Sequence, residues 1–423
     1  MPDLHADLAR TRADYEGFKA RGLKLDMTRG KPSPEQLSLS DAMLLPQGNR
    51  DTTTAAGEDA RNYGGALQGL PEVRALFGEA LGLPADAIVL GNNSSLALMH
   101  DCIVWALLKG VPGGERPWSR EASPAFICPV PGYDRHFGLA EEFGFRLLPV
   151  PLTGQGPDMD AVEALAADPS VKGMWCVPRY SNPTGETYSD DAVRRLAAMK
   201  AGAPDFRLFW DDAYAVHHLT DRRTPLASIL DLTREAGHSD RAFCFGSTSK
   251  VTLAGAGVAL FASSPANVAW FLARAGRRTI GSDKLNQLRH MRFLRDAEGL
   301  HAHMGRHRDL IGPKFDAVLA ALERRLGGTG LARWSRPEGG YFISVDAVPG
   351  TASRVVALAK AAGVALTPAG ATWPGGADPE DANLRLAPTF PKLAEVEAAA
   401  EGIAICIALA GLEKRGGDAA STS

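Results

Sequence analysis

The sequence has 423 residues, of which 45% are hydrophobic, so it can bury a large core in two or three domains. Its formal net charge of -3 gives no basic field that would attract nucleic acid or an anionic membrane. We find no basic segment followed by an apolar stretch at the start, and no apolar run of membrane-spanning length. We therefore expect a cytoplasmic protein with neither nucleic-acid nor membrane partners.

The five cysteines are widely spaced along the chain, and three of them lie inside apolar, strand-like runs. This spacing is typical of buried thiols and does not favour disulfides or a zinc site. We therefore predict free thiols at all five positions: Cys102, Cys128, Cys176, Cys244 and Cys406.

The first predicted element is an amphipathic helix over residues 3–21, where apolar residues recur near helical spacing. Short apolar runs then alternate with helical stretches through the middle of the chain, which favours a mostly parallel sheet covered by helices. The predicted strands are 87–90, 125–128, 174–177, 206–210, 242–245 and 257–262. The expected fold class is therefore α/β.

From about residue 305 the pattern changes to a long helix, a strand of period two at 339–345, and a helix–strand–helix pattern. This order of helices and strands predicts a second, smaller α+β domain onto which the N-terminal segment folds. We expect a large cofactor-binding domain at 46–304, a small domain at 1–45 and 305–415, and a flexible tail at 416–423.

Three polar clusters each follow an apolar, strand-like run. They contain Asn182, the pair Asp211 and Tyr214, and Lys250, in that chain order. In sheets of this kind, ligands gather at the carboxyl ends of the strands. A lysine that forms a Schiff base, a carboxylate for the pyridinium nitrogen, and an amide with a phenol for the ring hydroxyl are what pyridoxal phosphate requires. The sequence therefore predicts a pyridoxal phosphate site in which Lys250, Asp211 and Tyr214 are catalytic, although position alone leaves Asp212 open as the carboxylate.

Together with these clusters, motifs at 25–32, 61–65, 91–96, 283–290 and 383–389 give the chain its resemblance to a known family. It resembles the fold-type I pyridoxal-phosphate enzymes of aminotransferase class I/II. Within them it is similar to the bacterial aspartate aminotransferases filed as MocR-family aminotransferases. The motifs extend to near residue 390, so the resemblance covers almost the whole chain. It implies a homodimer with shared active sites and a transaminase acting on an amino acid and a 2-oxo acid.

The resemblance also implies roles for single residues. The family pattern Asp-x-Ala-Tyr selects Asp211, which leaves Asp212 as a helix or turn carboxylate. Tyr133 matches the aromatic residue that stacks on the cofactor, although a half-buried loop tyrosine would have the same local sequence. Tyr63 matches a tyrosine that would reach the partner subunit's phosphate. Arg385 and Asn182 match residues that bind the substrate. Gly30 matches a position where the backbone would approach the substrate.

The cofactor phosphate is expected at the start of the helix after residue 93. Free backbone N–H groups and the hydroxyls of Ser94 and Ser95 suit an anion there, although an ordinary serine cap would use the same residues. Ser247 and Ser249 supply further donors. Typical class I enzymes carry an arginine eight residues after the lysine, where this chain has Val258. We therefore predict a cation from another segment, with Lys284 as the first candidate and a solvated loop lysine as the alternative.

The subgroup resemblance implies aspartate and 2-oxoglutarate as substrates. Arg29, Arg179, Arg277 and Arg278 are candidates for binding a side-chain carboxylate, and the sequence does not separate them. The alternatives are a broad or aromatic amino-acid aminotransferase and a β-lyase on the same scaffold. A winged-helix transcription regulator is not expected, because only about 24 residues precede Leu25.

Several histidines could suggest a metal site, since His303 and His307 are one helical turn apart. Neither cysteine nor paired acidic residues complete a ligand set near them. We expect solvated helix histidines at these two positions and at His301, and the same for His217 and His218. No metal is therefore predicted.

Overall fold

The structure is a computed structural model that describes residues 2–44, 52–65 and 67–421. Its helices in these residues are α1 Pro2–Ala20, α2 Pro34–Ser38, α3 Pro71–Leu81, α4 Ser95–Lys109, α5 Asp134–Glu142, α6 Met159–Ala166, α7 Asp190–Ala198, α8 Ile229–Glu235, α9 Pro265–Arg278, α10 Lys284–Leu294, α11 Ala297–Leu326, α12 Ala352–Ala361 and α13 Leu393–Ser421. Its strands are β1 Leu25–Asp26, β2 Ile88–Leu90, β3 Ala125–Val130, β4 Arg146–Pro151, β5 Val171–Cys176, β6 Arg207–Asp211, β7 Ala242–Ser247, β8 Ala259–Ala262, β9 Ala332–Trp334, β10 Ile343–Ala347, β11 Val364–Ala365 and β12 Asn383–Leu386. The first helix confirms the predicted N-terminal helix.

A seven-stranded sheet in the described residues has the order β2-β8-β7-β6-β5-β3-β4. Its strands are parallel except β8, which is antiparallel to both β7 and β2. The central strands β3, β5 and β6 are buried at every residue, as expected when helices cover both faces of a sheet. The predicted α/β fold with a mostly parallel sheet is confirmed.

Strand β4 is the element of this sheet that the sequence analysis missed. It lies at the edge of the sheet, pairs with β3 alone, and is mostly exposed or half-buried. It also contains Pro149 and Pro151, which have no N–H to pair with a second neighbouring strand and therefore suit an edge position. The sequence of an edge strand with prolines lacks the continuous apolar run that marks the buried strands.

A second hydrophobic core contains residues from both ends of the chain. Tyr15 and Phe18 of α1 pack in it with residues of α13, and β1 pairs in parallel with β11. The same core includes a three-stranded antiparallel sheet of order β12-β10-β9. The N-terminal segment therefore packs against the C-terminal third of the chain.

Helix α11 joins the two cores. Leu300 and Met304 lie in the core that contains β6 and β7, whereas Phe315 and Val318 lie in the second core. The expected domain boundary at residue 305 thus falls inside a continuous helix. The other expected boundary, at residue 46, lies outside the described residues, and α13 continues past residue 416 to Ser421.

The five cysteines are free and buried, as predicted. Cys128, Cys176 and Cys244 lie in β3, β5 and β7, where the apolar runs placed them. No helix among the described residues combines the length and the apolar character that crossing a bilayer requires.

Candidate active site

The three polar clusters meet at one edge of the central sheet. Asn182 follows β5, Asp211 ends β6, and Lys250 closes a 3-10 turn directly after β7. These strands are neighbours and parallel, so their carboxyl ends lie side by side. The structure therefore brings together the amide, the carboxylate and the lysine as predicted from their positions after strands.

Asp211 is buried, and one of its two carboxylate oxygens has a protein partner. Its Oδ2 lies 3.1 Å from Nε2 of His136, which is also buried. The His136 ring stacks on Trp175, with ring centroids 4.4 Å apart and planes within 9°. The other carboxylate oxygen of Asp211, Oδ1, is buried and has no hydrogen-bond partner among the described residues. A buried carboxylate oxygen of this kind is costly unless a donor is supplied from elsewhere.

The Lys250 side chain lies over the ring of the buried Tyr214, with Nζ 5.1 Å from the ring centroid. Burial lowers the pKa of Lys250, and nearby Asp211 offsets part of that effect. Burial also raises the pKa of Tyr214 well above its ordinary value. The pair is thus a lysine biased toward the neutral amine beside a protonated phenol.

Tyr133 directly precedes α5 and packs edge-on against His136, with ring centroids 4.9 Å apart. Burial, followed by the charge of Asp211, raises the pKa of Tyr133 to about 12. The ring therefore lies on the same side of the sheet as the Asp211 carboxylate, and its hydroxyl stays protonated at neutral pH.

Arg385 projects from β12 toward the same edge of the central sheet. Its Nη1 lies 2.7 Å from Oδ1 of Asp134 and 3.5 Å from Oδ1 of Asn182, which is buried. The guanidinium carbon lies 5.3 Å from the centroid of the Phe342 ring. The Nε atom of Arg385 is buried and has no hydrogen-bond partner among the described residues. This guanidinium retains an unused donor beside the Lys250 cluster.

Gly30 packs directly against the face that positions Arg385. A Cβ atom at this position would lie 2.1 Å from Cζ of Phe342. Because backbone and ring cannot both stay in place at that distance, a side chain here would displace the ring that supports the guanidinium. The structure gives Gly30 a packing reason in addition to the expected approach to substrate.

The serines expected to bind phosphate lie around the start of α4. Ser94 caps the helix by accepting a hydrogen bond from the Ala97 N–H at 3.2 Å, and Ser95 is the first helical residue. The Ser247 hydroxyl donates to the Asn93 carbonyl at 2.9 Å and lies 3.0 Å from the Ser249 hydroxyl. All four serines therefore lie together at a helix N-terminus, where an anion is stabilised.

Val258 lies in the hydrophobic core, and its N–H donates to the Thr248 hydroxyl at 2.8 Å. Lys284 begins α10, and its ammonium donates to the Gly64 carbonyl at 2.9 Å. The start of α10 is also held near α4, because the Asp283 N–H donates to Oδ1 of Asn92 at 3.3 Å. The backbone at the start of α10 therefore lies near the start of α4, whereas the Lys284 ammonium is bonded to Gly64.

The side chain of Tyr63 is 80% exposed, and that of Ile280 is 68% exposed. Both line an open groove of about 730 Å³, together with Lys284 and Arg278. Tyr63 is therefore not brought to the Lys250 cluster within one chain.

The four candidate arginines differ in what they bind. Arg179 donates to Asp212 and to the Ala215 carbonyl, so Asp212 has a partner away from His136. An exposed ion pair joins Arg29 to Asp26 at 3.5 Å, and Arg278 pairs with the mostly buried Asp101 at 3.0 Å. Arg277 is exposed. None of the four is assigned by these contacts.

The prediction of solvated helix histidines is wrong for His217, His303 and His307, which are buried. For His303 and His307, helical spacing does not reveal which face of α11 packs against the other core, whereas His217 lies in the segment between β6 and α8. No group of metal-ligating residues occurs in the described part of the chain. Sequence reasoning also missed His136, which lies three residues after Tyr133, in the first turn of α5.

The donor set suits pyridoxal phosphate. The unpartnered Oδ1 of Asp211 suits a protonated ring nitrogen, and the serines at α4 suit a phosphate. Lys250, Tyr214 and Tyr133 all lie within electrostatic range of Asp211. The cluster therefore offers partners to the ring and the phosphate of one ligand.

The sequence model of a family described as aspartate amino-transferase matches residues 1–419. The chain belongs to this family. It is a pyridoxal-phosphate-dependent transaminase of fold type I, and the family implies an amino acid and a 2-oxo acid as substrates.

A Mycolicibacterium smegmatis protein is 53% identical over 419 residues, covering 98% of each chain. An aspartate aminotransferase of Corynebacterium glutamicum is 50% identical over 410 residues, covering 97% of this chain and 94% of that one. The crystal structure of an aspartate transaminase from Corynebacterium glutamicum has a TM-score of 0.96 and 48% identity, covering 98% of this chain and 97% of that one. The likeness thus extends over nearly the whole length of each protein.

Proposed function

We propose that this transaminase transfers the amino group of L-aspartate to 2-oxoglutarate and binds pyridoxal phosphate through Lys250. The observation that carries the proposal is the meeting of Lys250, Asp211 and Arg385 at one edge of the central sheet. The similarity to an aspartate aminotransferase over 410 residues supports the choice of amino donor. Assignment to the subgroup filed as MocR-family aminotransferases stays a prediction.

Bound pyridoxal phosphate supplies an electron sink for the pair of electrons left when the substrate Cα loses its proton. Asp211 would accept a hydrogen bond from the ring nitrogen and keep it protonated. Tyr214 and Asn182 would bind the ring oxygen, and Tyr133 would contact the ring. Ser94, Ser95, Ser247 and Ser249 would bind the phosphate, with Lys284 as an additional cation.

Lys250 moves the proton at Cα. Burial biases its amine toward the neutral form, and a neutral amine can accept a proton. Arg385 holds the substrate α-carboxylate, using the Nε donor that lacks a protein partner. The Asp134 carboxylate shares this guanidinium and keeps it oriented before substrate arrives.

We further propose a homodimer with shared active sites, in which Tyr63 reaches the partner subunit's phosphate. Exposed large apolar side chains beside a polar groove are typical of an interaction surface. Tyr63 and Ile280 provide them, and Arg278 adds a cation to the same groove. A second copy of the chain would bury this groove and complete the site.

The test is a half-reaction in which one amino acid at a time is added to the purified holoenzyme. The visible spectrum of the bound cofactor should change fastest with L-aspartate and L-glutamate. Equal or faster change with aromatic amino acids would favour a broad or aromatic aminotransferase, and release of pyruvate with ammonia would favour a β-lyase. No change with any amino acid would overturn the proposed function.

A further inference from the structure

A buried polar network lies behind Lys250, on the backbone side of that residue. The Lys250 carbonyl lies 3.3 Å from Nε2 of His217 and accepts a hydrogen bond from the Tyr341 hydroxyl at 3.2 Å. The next carbonyl, that of Val251, lies 2.7 Å from Nε2 of His303. A carbonyl can only accept, so both imidazoles carry their proton on Nε2.

Gln36 of α2 connects these donors. Its amide nitrogen lies 3.1 Å from the Tyr341 hydroxyl and 3.0 Å from Nδ1 of His307. Its orientation is fixed because its Oε1 accepts the Ser33 N–H at 3.1 Å. His307 therefore accepts at Nδ1 and carries its proton on Nε2. This nitrogen lies 3.1 Å from Nε2 of His303, and because both are donors they share the Val251 carbonyl as acceptor and do not bond to each other. Tyr341 accepts from Gln36 and donates to the Lys250 carbonyl.

The side chains of His217, Gln36, His303, His307 and Tyr341 are all buried, with at most 2% of each residue exposed. Burial, followed by nearby positive groups, lowers the pKa of His217 and of His307 to about 3. Burial also lowers the pKa of His303, whose Nδ1 lies 2.9 Å from Nη2 of the exposed Arg306, so the three imidazoles are biased toward their neutral form. Uncharged hydrogen bonds in a dry interior are directional and cannot be replaced by water when one partner is lost.

The donors come from segments on both sides of Lys250. His217 follows β6, His303 and His307 lie on α11, Tyr341 precedes β10, and Gln36 lies on α2. Tyr341 also packs against the catalytic face, since its ring centroid lies 5.9 Å from that of Tyr214. The two cores thus share one set of hydrogen bonds at the backbone of residues 250 and 251.

We infer that Tyr341, His217, Gln36, His303 and His307 are positioning residues that hold the Lys250 backbone so that its amine reaches the Cα proton. This inference rests on the proposed role of Lys250. The lysine amine ends a flexible four-carbon stem, so its reach depends on a fixed backbone. A misplacement of about 1 Å can lower a rate roughly 100-fold.

The test compares Tyr341→Phe with Tyr15→Phe. Tyr15 is a matched control, because it is also buried and its hydroxyl donates to a backbone carbonyl, that of Leu358 at 3.0 Å. Tyr341→Phe should lower kcat by about 10-fold to 100-fold with little change in KM, and it should raise the isotope effect with α-deuterated amino acid. Tyr15→Phe should leave kcat and the isotope effect unchanged.

A second readout needs neither cofactor nor activity. Amide hydrogen exchange of the peptide containing residues 248–252 should accelerate about 2-fold to 10-fold in cofactor-free Tyr341→Phe, as expected for the loss of one hydrogen bond. The same peptide in Tyr15→Phe should exchange at the wild-type rate. If the two variants matched in both kcat and this exchange, the inference would be overturned.

His217 offers a further pair if Tyr341→Phe does not fold. Gln can place an amide donor near the position of Nε2, so His217→Gln should retain more of kcat than His217→Leu, and equal losses would contradict positioning through this donor. Failure of the proposed role of Lys250 gives a different result. In that case borohydride would still fix the cofactor to the protein in Lys250→Ala.

Discussion

The Nε2 atom of His136 lies 3.1 Å from Oδ2 of Asp211, and the other oxygen of that carboxylate has no protein partner in the described residues. The histidine is itself held flat against Trp175. One oxygen is thus fixed by the protein and the other is left for a ligand. The hydrogen bond to His136 therefore fixes the orientation of the Asp211 carboxylate, because rotation of the side chain would break that bond.

Replacing His136 by Phe should keep the stacking on Trp175 and remove the partner of Oδ2. The cofactor-free protein should lose about 1–3 kcal/mol of unfolding free energy, because a buried carboxylate is left without a donor. Urea unfolding of the cofactor-free protein measures this. In the Asp211→Asn background the same replacement should cost less, since no charge is then left unpaired. Equal costs in both backgrounds would show that the hydrogen bond does not matter.

Lys250→Ala should retain pyridoxal phosphate through the ring and phosphate contacts but form no covalent bond with it. Turnover should fall by several orders of magnitude, because the nucleophile and the base are lost together. Borohydride reduction followed by mass spectrometry checks the covalent link, and steady-state kinetics check turnover. Near-normal transamination by this variant would refute the assignment of Lys250.

Mixing Tyr63→Phe subunits with Lys250→Ala subunits tests the shared site. If Tyr63 completes the partner subunit's site, each hybrid dimer has one intact site and one site with both changes. Activity should therefore rise above that of either parent after subunit exchange. Mixtures that never exceed the more active parent would argue that each site lies within one chain.

Lys284→Met should weaken retention of the cofactor during dialysis. Removal of one charged hydrogen bond to the phosphate costs about 1.5–3 kcal/mol, or roughly 10-fold to 150-fold in the dissociation constant. Lys360→Met is a suitable control, because Lys360 is an exposed lysine near the end of α12. Unchanged affinity in Lys284→Met would leave the start of α4 as the main phosphate anchor.

The buried histidines predict that acid destabilises the cofactor-free protein. Burial lowers the folded-state pKa of His217 and His307 from 6.5 to about 3, and that of His290 to about 4. Between about pH 6.5 and pH 3 the unfolded chain therefore binds more protons than the folded chain. As the pH is lowered through this window, the unfolding free energy should decrease by up to about 1.4 kcal/mol per pH unit for each histidine.

Urea unfolding at a series of pH values measures this slope. His217→Gln should reduce the slope by up to about 1.4 kcal/mol per pH unit, the contribution of one proton. An unchanged slope in His217→Gln would mean that His217 can take up a proton in the folded state.

The sequence predicted the fold well where strands are buried on both faces. Strands β5, β6 and β7 are continuous apolar runs, and the polar residues after them mark their carboxyl ends, so Asn182, Asp211 and Lys250 could be placed together before the structure was known. Strand β4 was missed because an edge strand is partly exposed to solvent, so its sequence lacks the continuous apolar run of a buried strand. The sequence could not show that Asp211 shares a bond with His136, because that contact joins elements 75 residues apart.

The histidine network was beyond sequence reasoning for a different reason. Gln36 and His307 are 271 residues apart, and they meet only because α2 packs near α11. His303 and His307 have the same helical spacing whether their face of the helix is exposed to solvent or buried. Packing of the second core against the first determines that this face is buried.

Helix α11 also limits how this protein can be divided. At 30 residues it is about 45 Å long, and its two halves are buried in different cores. A chain cut at residue 305 would leave Leu300 and Met304 on one fragment and Phe315 and Val318 on the other. Each fragment would expose half of an apolar stripe, so neither should dissolve when produced alone. Co-expression should restore both, which makes the two pieces suitable for a split-enzyme complementation assay.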